Sequence, residues 1–138
     1  MNNRKIYRFL QLTWGIIQNA VGYLVFRYCI RHHYPVFRFQ NAYVSLWKRR
    51  DSASIGMFIF LGYPSTDILA HEYGHTIQSC ILGPLYFPLI GLPSLIWCHG
   101  KRFEQKRQRG IYRYSDFYSE RWANHLGEKY TRFRAIDY

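Results

Sequence analysis

Residues 65–84, Ser65-Thr66-Asp67-Ile68-Leu69-Ala70-His71-Glu72-Tyr73-Gly74-His75-Thr76-Ile77-Gln78-Ser79-Cys80-Ile81-Leu82-Gly83-Pro84, decide how the rest of the chain is read. Ser65, Thr66 and Asp67 after Pro64 form a helix start, Leu69, Tyr73, Ile77 and Cys80 or Ile81 recur at helical spacing, and Gly83-Pro84 closes the segment. On such a helix residues four apart lie one turn above each other, so His71 and His75 present their imidazoles on one face. Two ring nitrogens so placed can meet a zinc ion at about 2.0–2.1 Å, with Glu72 beside the metal and not on it. That offset suits hydrolysis: zinc lowers the pKa of a water, and a carboxylate within hydrogen-bond reach takes its proton.

A catalytic zinc takes three protein ligands and keeps its fourth position for water, so one more ligand is expected elsewhere in the chain. The best candidate is Glu120, in Glu120-Arg121-Trp122-Ala123-Asn124. Glu120 and Asn124 share one face of a second helix expected over 115–132, so Glu120 can bind the metal while Asn124 accepts a hydrogen bond from a ligand histidine's other nitrogen. Ala123 is small enough to let the two helices approach. Asp116 is a possible substitute for Glu120. The remaining histidines, His32, His33, His99 and His125, read as surface or capping residues. Tyr112, Tyr114, Tyr118 and His125 are candidates to donate a hydrogen bond to a developing oxyanion.

Working toward the N-terminus, residues 36–39, 42–47 and 55–61 are rich in β-branched and aromatic side chains and read as three short strands, with 40–41 and 48–54 as turns. Before them, residues 9–30 form one apolar stretch, long enough to cross a bilayer as a helix, with Gln11, Gly15, Gln18, Asn19 and Gly22 on a single stripe. Such a helix presents protein on one side and lipid on the other. No small-residue cleavage pattern follows it, so the stretch is expected to remain in the mature protein.

After the first histidine helix, residues 82–98 are again apolar, but Pro84, Pro88 and Pro93 deny them a regular helix and make them a broken connector. Residues 101–109, KRFEQKRQR, carry five cations against one Glu and read as a solvated face that meets an anionic surface.

At 138 residues the chain fits one domain, 1–138, and 49% hydrophobic residues exclude a disordered segment. Nineteen Lys plus Arg against eight Asp plus Glu give +11, which predicts attraction to lipid headgroups, nucleic acid or acidic proteins. Cys29, Cys80 and Cys98 are odd in number and widely spaced, so they read as small buried hydrophobes in a reducing compartment.

The pattern His71-Glu72-Tyr73-Gly74-His75 followed by Glu120 to Asn124 resembles the gluzincin branch of the zincin metallopeptidases, whose members carry HExxH and a downstream ExxxD helix. Asn124 stands where that family usually has Asp, giving an uncharged partner to the ligand histidine. The runs HEYGHTIQSCILGPLYFPLIGLPS (71–94) and FYSERWANHLG (117–127), with Trp14, Gly15, Gln18 and Gly22, are similar to a group of small bacterial membrane-associated proteins and to modules of bacterial toxins. The LDG-type motif of site-2 intramembrane proteases does not occur.

The expectation is therefore an α+β fold, a minimal zincin with an N-terminal apolar helix, a small antiparallel sheet, the HExxH helix beneath it and a C-terminal ligand helix. The resemblance implies peptide or protein substrates, Zn2+ as cofactor, Glu72 as general base, and association with a membrane, the bacterial inner membrane first and the cytoplasm as the alternative. Two other readings compete: an inactive scaffold in which zinc only holds the fold, and a basic protein that binds nucleic acid or an anionic membrane.

Overall fold

A computed structural model describes residues 3–136. The chain is α+β. It runs α1 (Arg4–Leu12), α2 (Ile16–Arg31), β1 (Val36–Phe39), β2 (Ala42–Leu46), β3 (Ala53–Ile55), β4 (Phe58–Leu61) and α3 (Thr66–Leu82). A 3-10 turn (Gly83–Leu85) and a π turn (Phe87–Gly91) lead to α4 (Leu92–His99) and α5 (Lys101–Gln108), and a second 3-10 turn (Tyr114–Asp116) leads to α6 (Tyr118–Thr131).

The sheet order is β1-β2-β4-β3. Its outer pairs are antiparallel, as expected, but β2 and β4 run parallel, with Val44 opposite Ile59 and Ser45 opposite Phe60. The stretch read as one strand over 55–61 is a hairpin. Gly56, at a φ of 65°, turns the chain so that Ile55 pairs back on Phe58. Because β3 occupies the far edge, this reversal drops β4 between β3 and β2, and β4 arrives in the direction of β2.

β4 is buried along its whole length and alternates with a period of two. Ile59 and Leu61 join Tyr7, Val44, Leu69, Tyr73 and Ile77 in a core under α3, while Phe58 and Phe60 pack with Cys29, Val25 and Phe26 under α2. The sheet thus lies between α2 and α3, and α6 backs α3 from outside.

The stretch read as one helix over 9–30 is two, bent by 96° at Thr13–Gly15, and no single described helix is long and apolar enough to cross a membrane. The bend leaves the Gln11 carbonyl without its helical partner, because the Gly15 N–H donates to Leu10 instead, and the Asn19 side chain takes it up. Its amide donates to the carbonyls of Gln11 and Gly15 at 2.8 Å each and to the Gln11 side chain at 2.6 Å. The Asn19 oxygen accepts from the Met57 N–H at 2.9 Å, tying the bend to the β3–β4 turn. Gln18 donates to the Gly83 carbonyl at 2.6 Å, and Gln11 to that of Thr76 at 3.1 Å. The stripe Gln11, Gly15, Gln18, Asn19, Gly22 is therefore buried against protein.

The connector over 82–98 keeps a helical course through its three prolines by loosening into 3-10 and π turns before α4 begins. Cys29 and Cys80 are buried, Cys98 is half-buried, and all three are free thiols.

Candidate metal centre

The α3–α6 contact is the most extensive between helices in the fold. Two glycines permit it. A Cβ on Gly74 would stand 1.8 Å from the Ala123 carbonyl oxygen, and a Cβ on Gly127 would stand 2.0 Å from that of Ala70. Backbone therefore meets backbone at Gly74–Ala123 and at Ala70–Gly127, one turn apart on each helix. Ala123 was legible as a spacer; its partners Gly74 and Gly127 were not singled out.

This close approach delivers Glu120 between the two histidines. Its Oε2 lies 2.9 Å from His71 Nε2 and 3.0 Å from His75 Nε2, and the two imidazole rings stand perpendicular with centroids 4.8 Å apart. Exposure is 3% for His71, 7% for His75 and 0% for Glu120. Among the described residues these three form the one cluster whose ligand atoms are close enough to share a metal ion. Asp116 does not belong to it, since its carboxylate accepts the Arg113 N–H at 2.8 Å and pairs with the Arg113 side chain.

The other ring nitrogens are held by amides. His71 Nδ1 lies 2.5 Å from Asn124 Oδ1, and His75 Nδ1 lies 2.7 Å from Gln78 Oε1. Both amides are oriented from behind: Asn124 Nδ2 donates to the Ile136 carbonyl and Gln78 Nε2 to that of Ser119, each at 2.9 Å. An amide whose NH2 is thus engaged turns its oxygen to the ring, so Nδ1 donates to it and Nε2 is the nitrogen left facing inward, free to bind a metal once it gives up any proton it shares with Glu120. Asn124 falls where expected. Gln78 was missed, although it stands three residues after His75 on the same helical face.

Burial by itself lowers the pKa of His75, but the adjacent Glu120 carboxylate outweighs it and raises the group to about 9. Burial likewise raises Glu120, yet His75 and His71 hold it well below the usual carboxylate range. The carboxylate is thus kept ionised in a buried place. Its Oε1 has no hydrogen-bond partner there, although a buried carboxylate oxygen normally has one. Two inward-facing imidazole nitrogens, an ionised carboxylate and an orphaned oxygen make a donor set that fits a metal ion.

Glu72 leaves the same helical turn on the adjacent face. Ser54 on β3 donates to its Oε2 and shares the same hydroxyl with its backbone carbonyl, both at 2.7 Å. Ser54 lay in the segment read as a turn, and nothing local marked it. His71, Glu72, His75 and Glu120 all open onto a cavity of about 920 Å3, whose walls include Ser54 and Ile55 of β3, Tyr86, Leu92 and Leu95 of the connector, and Tyr114. Of the four residues expected to face an oxyanion, only Tyr114 lines this cavity, with its ring 6.3 Å from that of His71. Tyr118 donates instead to the Leu89 carbonyl, Tyr112 packs on Trp97, and His125 is exposed. Tyr86 was not foreseen. It is buried on the cavity wall, and burial, then the charges of Glu72 and Glu120, push its phenol far up, so it stays protonated. His32, His33 and His99 are exposed.

No family model, curated protein or solved structure matches this chain.

Proposed function

We propose that the protein is a zinc-dependent peptidase that uses Glu72 as general base. One observation carries the reading: two histidines one helical turn apart converge on Glu120 from another helix, while Glu72, from the same turn, is held outside that cluster and on the cavity. A structural metal site closes on four protein ligands and has no use for a carboxylate poised beside it, whereas a hydrolytic site keeps a position open.

His71, His75 and Glu120 would hold the ion. When bound there, zinc supplies Lewis-acid polarisation of a carbonyl and a lowered pKa for water. Glu72 accepts the proton of the attacking water and passes it to the leaving amine, and Ser54 keeps its carboxylate aimed by engaging one of its two oxygens. Tyr86 and Tyr114 are phenolic donors on the same wall, placed to hydrogen-bond an oxygen that gains charge. β3 is the edge strand of the sheet and lines the cavity from Ala53 to Ile55, which suits an extended peptide laid along it.

The test is digestion of a peptide library by wild type and by Glu72→Gln, each with its zinc content measured. Turnover by wild type alone, at equal zinc, supports the proposal. Equal activity of both proteins refutes the role of Glu72, and zinc without turnover in wild type leaves the scaffold reading standing.

A further inference from the structure

Helix α2 is inside out. Its buried side carries Gln18, Asn19, Gly22 and Cys29, while Ile17, Val21, Leu24 and Tyr28, spaced at four, three and four residues, form a stripe facing away from the protein. Their exposures are 59%, 44%, 69% and 53%. A helix that meets water does the reverse. Polar groups turned to the protein and aliphatic groups turned outward is the pattern of a helix bathed in lipid.

The stripe is not isolated. At the α1–α2 bend the Trp14 indole donates to the Ile81 carbonyl at 3.3 Å, and its ring fills the space beside Gly83 where a Cβ would stand. This joins the outer side of α2 to the start of the connector, where Ile81, Leu85, Leu89, Leu92, Leu95 and Ile96 are each between 46% and 56% exposed. A continuous run of exposed large aliphatics on this scale marks a surface that is covered in use.

By itself this helix is too short to span. Sixteen residues at about 1.5 Å each give roughly 24 Å, short of a hydrocarbon core of about 30 Å, and α1 turns away by 96°. A helix lying in the interface needs no such length.

Charge selects the occupant. The chain carries +11, so two copies repel each other, and an acidic soluble protein or nucleic acid offers nothing to the aliphatic stripe. The helix α5, which follows the connector directly, presents Lys101, Arg102 and Lys106 against Glu104, while Arg107 turns back onto the Trp97 and Cys98 carbonyls, and Arg4, Lys5 and Arg8 lie on α1. We propose that the outer side of α2 and the connector form a face that docks on an anionic lipid bilayer, inserted to the level of the acyl chains with the basic helices at the headgroups. Phe87, Leu92 and Leu95 belong both to the exposed connector and to the cavity wall, so docking sets the mouth of the metal cavity at the lipid surface. Resting on the peptidase reading, that placement makes a polypeptide segment at the bilayer surface the substrate; the docking face itself uses none of the metal-centre residues.

The experiment is flotation of the full chain with vesicles of phosphatidylcholine mixed with phosphatidylglycerol, against vesicles of phosphatidylcholine alone. Wild type is expected to float with the anionic vesicles. Ile17→Glu combined with Leu24→Glu, on exposed positions, is expected to lower the bound fraction at least about tenfold with zinc content unchanged. Replacement of Lys101, Arg102 and Lys106 by Gln is expected to lower binding to the anionic vesicles only. Wild type remaining at the bottom of the gradient, the Glu variant floating as well as wild type, or a lipid-free dimer that the Glu variant dissolves would each overturn the proposal. Zinc binding is measured separately, so failure of the docking face and failure of the metal centre give different results.

Discussion

Replacing Gly74 with Ala tests the helix contact on which the metal centre depends. The added Cβ would sit 1.8 Å from the Ala123 carbonyl oxygen, 2.6 Å from its carbon and 2.9 Å from its Cα, all backbone atoms, whereas ordinary contact begins at 3.4 Å. No side chain can swing aside, so α6 must withdraw from α3 by about 1.6 Å, the difference between those two distances. Overpacking of this kind costs about 1–3 kcal/mol or more, offset by roughly 1 kcal/mol from the better helix propensity of Ala. The second consequence is larger. Glu120 rides on α6, and ligand distances tolerate only about 0.2 Å, so the displaced carboxylate no longer completes the site. Thermal unfolding of the metal-free protein reads the first effect, and zinc content after dialysis reads the second. Gly91→Ala is the control, because its Cβ would meet only the Phe87 and Tyr86 side chains and one carbonyl at 3.3–3.8 Å. Gly74→Ala retaining wild-type zinc and melting temperature would refute the close-contact argument.

Gln78→Ala, which removes the acceptor at His75 Nδ1, is expected to weaken zinc binding by about 10–100-fold in a competition titration while leaving the helix intact. Ser54→Ala is expected to leave zinc affinity unchanged and to lower turnover, read as kcat against KM on one peptide. Free zinc at a hundredfold over its dissociation constant stabilises the fold by about 2.7 kcal/mol, a rise in melting temperature on the order of 10 °C that a chelator reverses. The pH dependence has opposite signs in the two forms. In the metal-free protein the folded pKa of His75, about 9, lies above its unfolded value and that of Glu120 lies below its own, so the His75–Glu120 pair stabilises fully between about pH 4.5 and 6.5, is lost as pH rises through 9, and is lost again in acid as Glu120 takes up a proton. Zinc must displace that proton, so its apparent affinity is expected to rise about tenfold per pH unit from neutral toward pH 9 and then level off.

His71, Glu72, His75, Glu120 and Asn124 were legible because each relation among them is either a helical repeat within one segment or a ligand requirement that a second helix must meet. Ser54 and Tyr86 were not, since their nearness to Glu72 arises only when β3 and the connector close over α3. Gln78 obeyed the same face rule as His75 but carried no chemistry of its own until its amide was seen bound to the Ser119 carbonyl. Three of the four strands were visible as apolar runs, whereas β3 lay largely in the segment read as a turn; the parallel β2–β4 pair was not visible, because alternation within a strand does not say which strand lies beside it. The stripe on residues 11–22 was visible, while the bend it serves was not. That bend depends on Asn19 reaching both the freed Gln11 carbonyl and Met57, a contact made across 38 residues.

The most direct test of the metal centre is the zinc stoichiometry of four purified proteins: wild type, His71→Ala, Glu120→Gln and Glu72→Gln. Wild type and Glu72→Gln are expected to hold one equivalent of zinc, and His71→Ala and Glu120→Gln to lose it. Wild type without zinc, or Glu120→Gln binding as tightly as wild type, would contradict a site built from His71, His75 and Glu120.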